Sequence, residues 1–139
     1  MIDPMSAYPG YLLRRASAMA MARLAKRLKT LHLNPTDATV LIVIGSNPNA
    51  KQSEIGRLLD IARANMAPLI SRLAARKLIE RQPVDGRSHG LTLTRTGLAL
   101  IPKIKSVISQ HETELMRSIP ETQRPLLVDG LRALMEQMR

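Results

Sequence analysis

A mostly helical fold carrying a small β-wing is what this sequence predicts, and three observations carry that expectation. Apolar residues recur at three- and four-residue steps through most of the chain, the period of an amphipathic helix. Between Arg63 and Gly97 the pattern changes: a short amphipathic helix, an apolar strand, a charged turn with a glycine, and a second strand where Leu91 and Leu93 alternate with Thr92 and Thr94. The 139 residues suit one domain with a single core.

Residues 1–9 read as an irregular arm. From Gly10 to Leu31 a helix is expected, with Leu12, Ala16, Met19, Arg23, Leu24, Leu28 and Leu31 at helical steps. Asn34 followed by Pro35 is a start signal, because the asparagine can cap and proline sacrifices only a donor that is unpaired there anyway. The helix it opens, to about Ser46, contains Val40 to Ile44, apolar on every side and therefore central to the core. Residues 46–49 (SNPN) break the chain. Asn49 with Gln52 fits a capping box for a short helix over Lys51–Leu59. The next helix begins at Arg63 or Asn65 and runs to Lys77; Asn65 as the cap is favoured, since it puts Pro68 in the first turn. Strands follow at Leu78–Val84 and His89–Thr94 around a turn at 85–88. Thr94 can cap a helix to about Ser118, with the stripe Leu98, Ile101, Ile104, Ile108, His111 and Leu115. Pro120 and Glu121 open a last helix with Leu127, Leu131, Leu134 and Met138 on one face.

Composition narrows the function. The net charge of +10 points to a polyanionic partner: nucleic acid, an anionic membrane surface, or mere solubility. The excess is largest over residues 48–97, with nine basic and four acidic groups, while 98–139 is nearly balanced with six and five. Tyr8 and Tyr11 are the only aromatic residues, so base stacking on single strands has no platform and duplex DNA fits better. With no cysteine, thiolate zinc sites, disulfides and thiol redox sensing are excluded. No apolar run approaches a membrane span and the N-terminus lacks a secretory layout, so the cytoplasm is the expected location. No nucleophile–base grouping, glycine-rich phosphate loop or carboxylate pair suggests an enzyme, and no cofactor is expected. His32, His89 and His111 are far apart; only His111 has nearby carboxylates, Glu112 and Glu114, so no metal site is expected.

Two short helices over 51–59 and 63–77 form a helix-turn-helix by spacing, a signal many helical proteins share; the β-ribbon after it makes DNA binding the stronger reading. Here the sequence resembles the MarR family of winged helix-turn-helix regulators. The matching segments are Gln52-Ser53-Glu54-Ile55, Ser71-Arg72-Leu73, Leu78-Ile79-Glu80-Arg81, Asp85-Gly86-Arg87-Ser88 and Leu93-Thr94-Arg95-Thr96-Gly97. Two departures stand out: Lys77 occupies the place of a glycine that ends the recognition helix, and Gly86 replaces a second basic wing residue.

The resemblance implies a helical dimerisation region built from residues 1–34 and 98–139, and a winged helix-turn-helix DNA-binding region over 35–97. It implies a recognition helix over residues 63–72, with Arg63, Asn65, Met66, Ser71 and Arg72 facing DNA. Arginine suits guanine edges, asparagine suits adenine, and methionine suits a thymine methyl. Gln52 and Ser53 would hold phosphate, Arg87 would enter the minor groove beside Ser88, and His89 would touch phosphate. Asp85 would hold the wing by pairing with a nearby arginine. An effector pocket between the first, second and post-wing helices, taking small aromatic acids or their CoA thioesters, would be lined by Tyr11, Arg14, Arg15, Met19, His32 and His111. The expected function is a homodimeric repressor released from a pseudo-palindromic double-stranded operator by a small molecule. The alternatives are a sequence-tolerant architectural DNA-binding protein and, less well matched to a wing, a membrane-surface helical protein.

Overall fold

The computed structural model describes residues 1–139. Six helices, α1 (Pro9–Leu28), α2 (Pro35–Ser46), α3 (Gln52–Leu58), α4 (Arg63–Ala75), α5 (Arg95–Met116) and α6 (Arg124–Gln137), surround three short strands. These are β1 (Ala50–Lys51), β2 (Ile79–Pro83) and β3 (His89–Leu93). Single 3-10 turns over Lys29–Leu31 and Glu121–Gln123 follow α1 and lead into α6.

The expected helix starts hold where a side chain caps them. Asn34 Oδ1 accepts from the Asp37 N–H at 2.8 Å, and Pro35 takes the first helical position. Thr94 Oγ1 accepts from the Gly97 N–H at 3.0 Å and opens α5. The proposed box of Asn49 and Gln52 does not form. Asn49 adopts a left-handed φ of 69°, and the residue before α3 is Lys51, whose N–H is taken by Glu54 Oε2 at 2.7 Å.

The start of α4 also differs. The helix begins at Arg63 after Ala62, with no side-chain cap, so Asn65 lies inside it and Pro68 falls in the second turn. There Pro68 deprives the Ala64 carbonyl of its helical donor. At the other end Lys77 stands in for glycine by adopting φ 58°. Its N–H reaches the Ala74 carbonyl at 2.9 Å and the Leu78 N–H reaches Leu73 at 3.1 Å, the double closure of a Schellman exit. The departure at Lys77 therefore leaves the exit turn intact, at the cost of a strained backbone.

The sheet is antiparallel in the order β1-β3-β2, one strand more than the sequence suggested. Ala50 pairs with Leu91 and Ile79 with Leu93. β1 is only two residues long, too short to show a period. Gly90 is required where β1 meets β3, because a Cβ there would lie 2.4 Å from the Asn49 carbonyl oxygen.

The core joins α1, α2, α3, α4 and the wing base to α5. Val40, Leu41 and Ile44 of α2 are fully buried at its centre, as expected for the all-apolar run. Leu24 and Leu28 from α1, Leu33 before α2 and Ala38 in it, Ile55 from α3, Met66, Leu69, Ile70 and Leu73 from α4, Leu78, Ile79 and Leu91 from the wing, and Ile104 from α5 complete it. The terminal helices are different. No residue of α6 is buried, and Leu126, Leu127, Leu131, Leu134 and Met135 lie open. Leu98 and Leu115, expected on the inner stripe of α5, are exposed, as are Leu12, Leu13 and Met19 of α1. No helix is long and apolar enough to cross a membrane.

Candidate nucleic-acid interface

α3, α4 and the wing enclose an open groove of about 470 Å³. Its walls include Lys51, Gln52 and Ser53 at the start of α3, Arg57 further along it, Arg63 on α4, and Ser88 with His89 on the wing. Six residues singled out from the sequence, Gln52, Ser53, Arg63, Met66, Ser88 and His89, thus meet in one concavity, Met66 only at its floor. Arg57 and Arg63 form no ion pair in this structure, so their charge faces solvent. Lys51 and Arg57 were missed by the sequence reading. Each sits within a helical turn or two of Gln52-Ser53, and that proximity was the available signal.

The wing tip is shaped by Asp85. Its Oδ1 accepts from the backbone N–H groups of Arg87 at 3.2 Å and Ser88 at 2.9 Å. The two N–H donors, Arg87 first, hold this carboxyl below the usual carboxylate range. Its ionic partner is Lys51, at 3.7 Å, rather than the expected arginine. The arginine guanidinium of residue 87 consequently remains unpaired and exposed at the tip. Gly86 beside it has no positive φ and open space around its α-carbon, so its small size meets no local demand.

Two residues expected on the DNA-facing side of α4 have other work. Met66 is 1% exposed and packs in the core beneath Gly56, so it forms part of the groove floor and projects no side chain outward from α4. Its stripe, Met66-Leu69-Ile70-Leu73, has the one-face spacing of a buried seam, which assigns it inward. Arg72 donates to Asp37 Oδ1 at 2.7 Å, tying α4 to the first turn of α2. Asp37 is 5% exposed, so one nitrogen of the guanidinium answers a buried carboxylate while half of the arginine side chain stays exposed. One turn later Arg76 donates to the carbonyls of His32 at 2.6 Å and Leu31 at 3.2 Å. Arg63, Asn65 and Ser71 remain exposed on α4.

The residues expected around an effector fall into separate settings. Tyr11 donates to Asp3 Oδ2 at 2.8 Å, and Arg15 donates to the same oxygen at 3.2 Å. The N-terminal arm thus supplies Arg15 with a carboxylate of its own. The Tyr11 hydroxyl, followed by the Met5 N–H, lowers the Asp3 carboxyl from its ordinary value, and Tyr11 likewise raises Arg15. Arg14 lies 5.6 Å from the Tyr11 ring centre. Met19 is exposed on α1, and His32 takes a left-handed φ of 55° at the corner before α2. His111 of α5 alone of the six is buried. Close to it, Arg27 of α1 pairs with Glu114 of α5, and this contact holds the Glu114 carboxyl below its usual range. No group of histidine and carboxylate side chains with the geometry of a metal site is present.

Comparison with known proteins gives this interface a context. Residues 33–88, from the start of α2 to the wing tip, match the model of the MarR family. The chain is 29% identical to the transcriptional repressor CouR in a structure bound to a 23-mer DNA duplex, with a TM-score of 0.89, covering 97% of this chain and 99% of that one. Against CouR bound to p-coumaroyl-CoA the identity is 26% and the TM-score 0.88, over 97% and 96% of the two chains. A Thauera aromatica protein assigned to regulation of the hcr operon is 25% identical over 131 residues, 92% of this chain and 79% of its own length. A helix-turn-helix with an arginine-tipped wing, a family model matched over residues 33–88 and whole-chain agreement with a DNA-bound repressor converge on one conclusion: this chain is similar to the MarR family of winged-helix transcriptional regulators.

Proposed function

We propose that the protein is a homodimeric, sequence-specific repressor that leaves its operator when a small aromatic carboxylic acid or its CoA thioester binds. The observation that carries the DNA half of this reading is the groove itself. Lys51, Arg57 and Arg63 gather around it, with Gln52, Ser53 and His89, and an unpaired Arg87 projects beside it. Cations and polar donors at such a concavity hold phosphates, which fixes orientation. The exposed side of α4 is then free for base edges in the major groove, and Arg87 suits the adjacent minor groove.

A dimer is supported by the apolar surface left open on α1, α5 and α6. Residues 1–34 and 98–139 serve as the dimerisation region in this reading, and 35–97 as the DNA-binding region. Pairing through the former would present two α4 helices about 34–36 Å apart, one turn of a pseudo-palindromic duplex. The ligand class rests on the likeness to CouR, which has been seen with both DNA and p-coumaroyl-CoA. In this chain buried His111 and exposed Met19, with Tyr11, Arg14, Arg15 and His32, are the residues proposed to meet an effector. Binding there acts by favouring a dimer whose two α4 helices are wrongly spaced for the site.

The test is selection of binding sites from a random duplex pool, followed by competition at physiological salt. The selected site should outcompete random duplex by at least about 10³. Arg87→Ala should weaken that complex roughly tenfold and lower the salt slope by about one unit per wing, leaving the melting temperature unchanged. Added p-coumaroyl-CoA or the free acid should release the duplex. Equal affinity for all sequences would favour the architectural alternative, which the +10 charge alone would sustain.

A further inference from the structure

The chemistry of the outward face of α4 points to what it reads. Met66, Leu69, Ile70 and Leu73 turn inward. At about 100° per residue, the direction opposite that seam is centred on Ala64, Ala67, Pro68 and Ser71, all of them exposed. This central face carries no charge and no side-chain amide, only one hydroxyl. Arg63 stands to one side, where it lines the groove with α3 and the wing. Asn65 stands to the other side, on the edge shared by Arg72 and Arg76, which are held by Asp37 and by the carbonyls of Leu31 and His32. The long polar side chains of α4 therefore flank its face or point away from it.

In the major groove each base pair offers donors and acceptors, and only thymine adds an apolar group, its 5-methyl. A surface of alanine methyls and a proline ring complements that methyl. Against a G·C pair the same surface would desolvate the N7 and O6 acceptors of guanine and supply no donor, which costs free energy. Ala64, Ala67 and Pro68 also have no side-chain rotamers to freeze on binding. We propose that the protein reads the centre of each half-site through thymine methyl groups, with Ala64, Ala67 and Pro68 as its specificity-determining residues. This rests on the reading above that α4 occupies the major groove.

The experiment uses the full-length protein and the duplex enriched from a random pool. Each thymine of the enriched half-site is replaced in turn by deoxyuridine, which pairs identically and lacks only the methyl. One or more central thymines should be found, and each methyl lost should weaken binding about fourfold, the value of one buried methyl-sized group. Substitution of Ala67→Ser, at an exposed position that keeps the helix, should flatten the preference for thymine over uracil. An enriched site with G·C pairs at its centre, or one indifferent to uracil throughout, would overturn this inference and leave the sequence-specific regulator standing. Persistence of the full thymine preference in Ala67→Ser and Ala64→Ser would remove these residues from the role. A pool from which nothing is enriched would overturn both readings.

Discussion

Replacing Lys77 with glycine should make the protein more stable, although it removes a charged side chain and adds no contact. Lys77 has a φ of 58°, a region where a Cβ crowds the backbone and costs about 1–2 kcal/mol. Two features hold it there. Its N–H and that of Leu78 close the end of α4, and its carbonyl accepts from Thr94 Oγ1 at 2.6 Å. The residue cannot relax without breaking the joint between α4 and the wing base. Glycine removes the crowding and surrenders about 0.5–1 kcal/mol through its freer unfolded chain. The net gain is about 1 kcal/mol, equivalent to about 4 °C in melting temperature for a chain of this size. Thermal unfolding by circular dichroism at fixed protein concentration, with a urea titration at unchanged slope, measures it. Lys77→Ala is the control and should melt like the parent, because alanine keeps the Cβ. A glycine variant that melts at or below the parent would refute the argument that this exit turn is strained.

Arg72→Met should destabilise the fold by about 2 kcal/mol, because it strands the Asp37 carboxylate; half-exposure of the arginine keeps the cost below the roughly 3–5 kcal/mol of a fully buried pair. The double change Asp37→Leu with Arg72→Met should recover much of that loss, and urea midpoints of the three variants would reveal it if the pair were only decorative. The wing should respond to acid in a defined direction. Asp85 has a lowered folded-state pKa, so the stability it lends is present above its unfolded pKa and is lost as pH falls through the lower folded value. The amide resonances of Arg87 and Ser88 should therefore keep their native positions at pH 5 and move only below the ordinary carboxylate range; movement near neutrality would assign the turn to another group.

Local chemistry made much of the architecture legible. Asn34-Pro35 and Thr94 announced their helices because a cap is a contact between residues three apart. The apolar run at 40–44 announced the core. The start of α4 was misread for the complementary reason: Ala62 precedes it without a side-chain cap, while Asn65, a good capping residue, sits inside. Met66 was assigned to DNA although its phase with Leu69, Ile70 and Leu73 marked it as buried, so that error was avoidable. The tie between Arg72 and Asp37 spans 35 residues and could not be read from spacing. The same is true of Arg76 at the α1–α2 corner, and of Lys51 as the partner of Asp85.

One hydroxyl carries more than a cap. Thr94 Oγ1 gives its proton to the Lys77 carbonyl and receives one from Gly97, while the Thr94 N–H binds the Leu78 carbonyl at 3.0 Å. A Cβ on Gly97 would sit 2.1 Å from that same Leu78 oxygen, so the backbones are in near contact there. This single residue acts as a pivot pin between the exit of α4 and the long helix α5. A tilt of α5 must then arrive at α4 as a lever stroke, with no slack loop to absorb it.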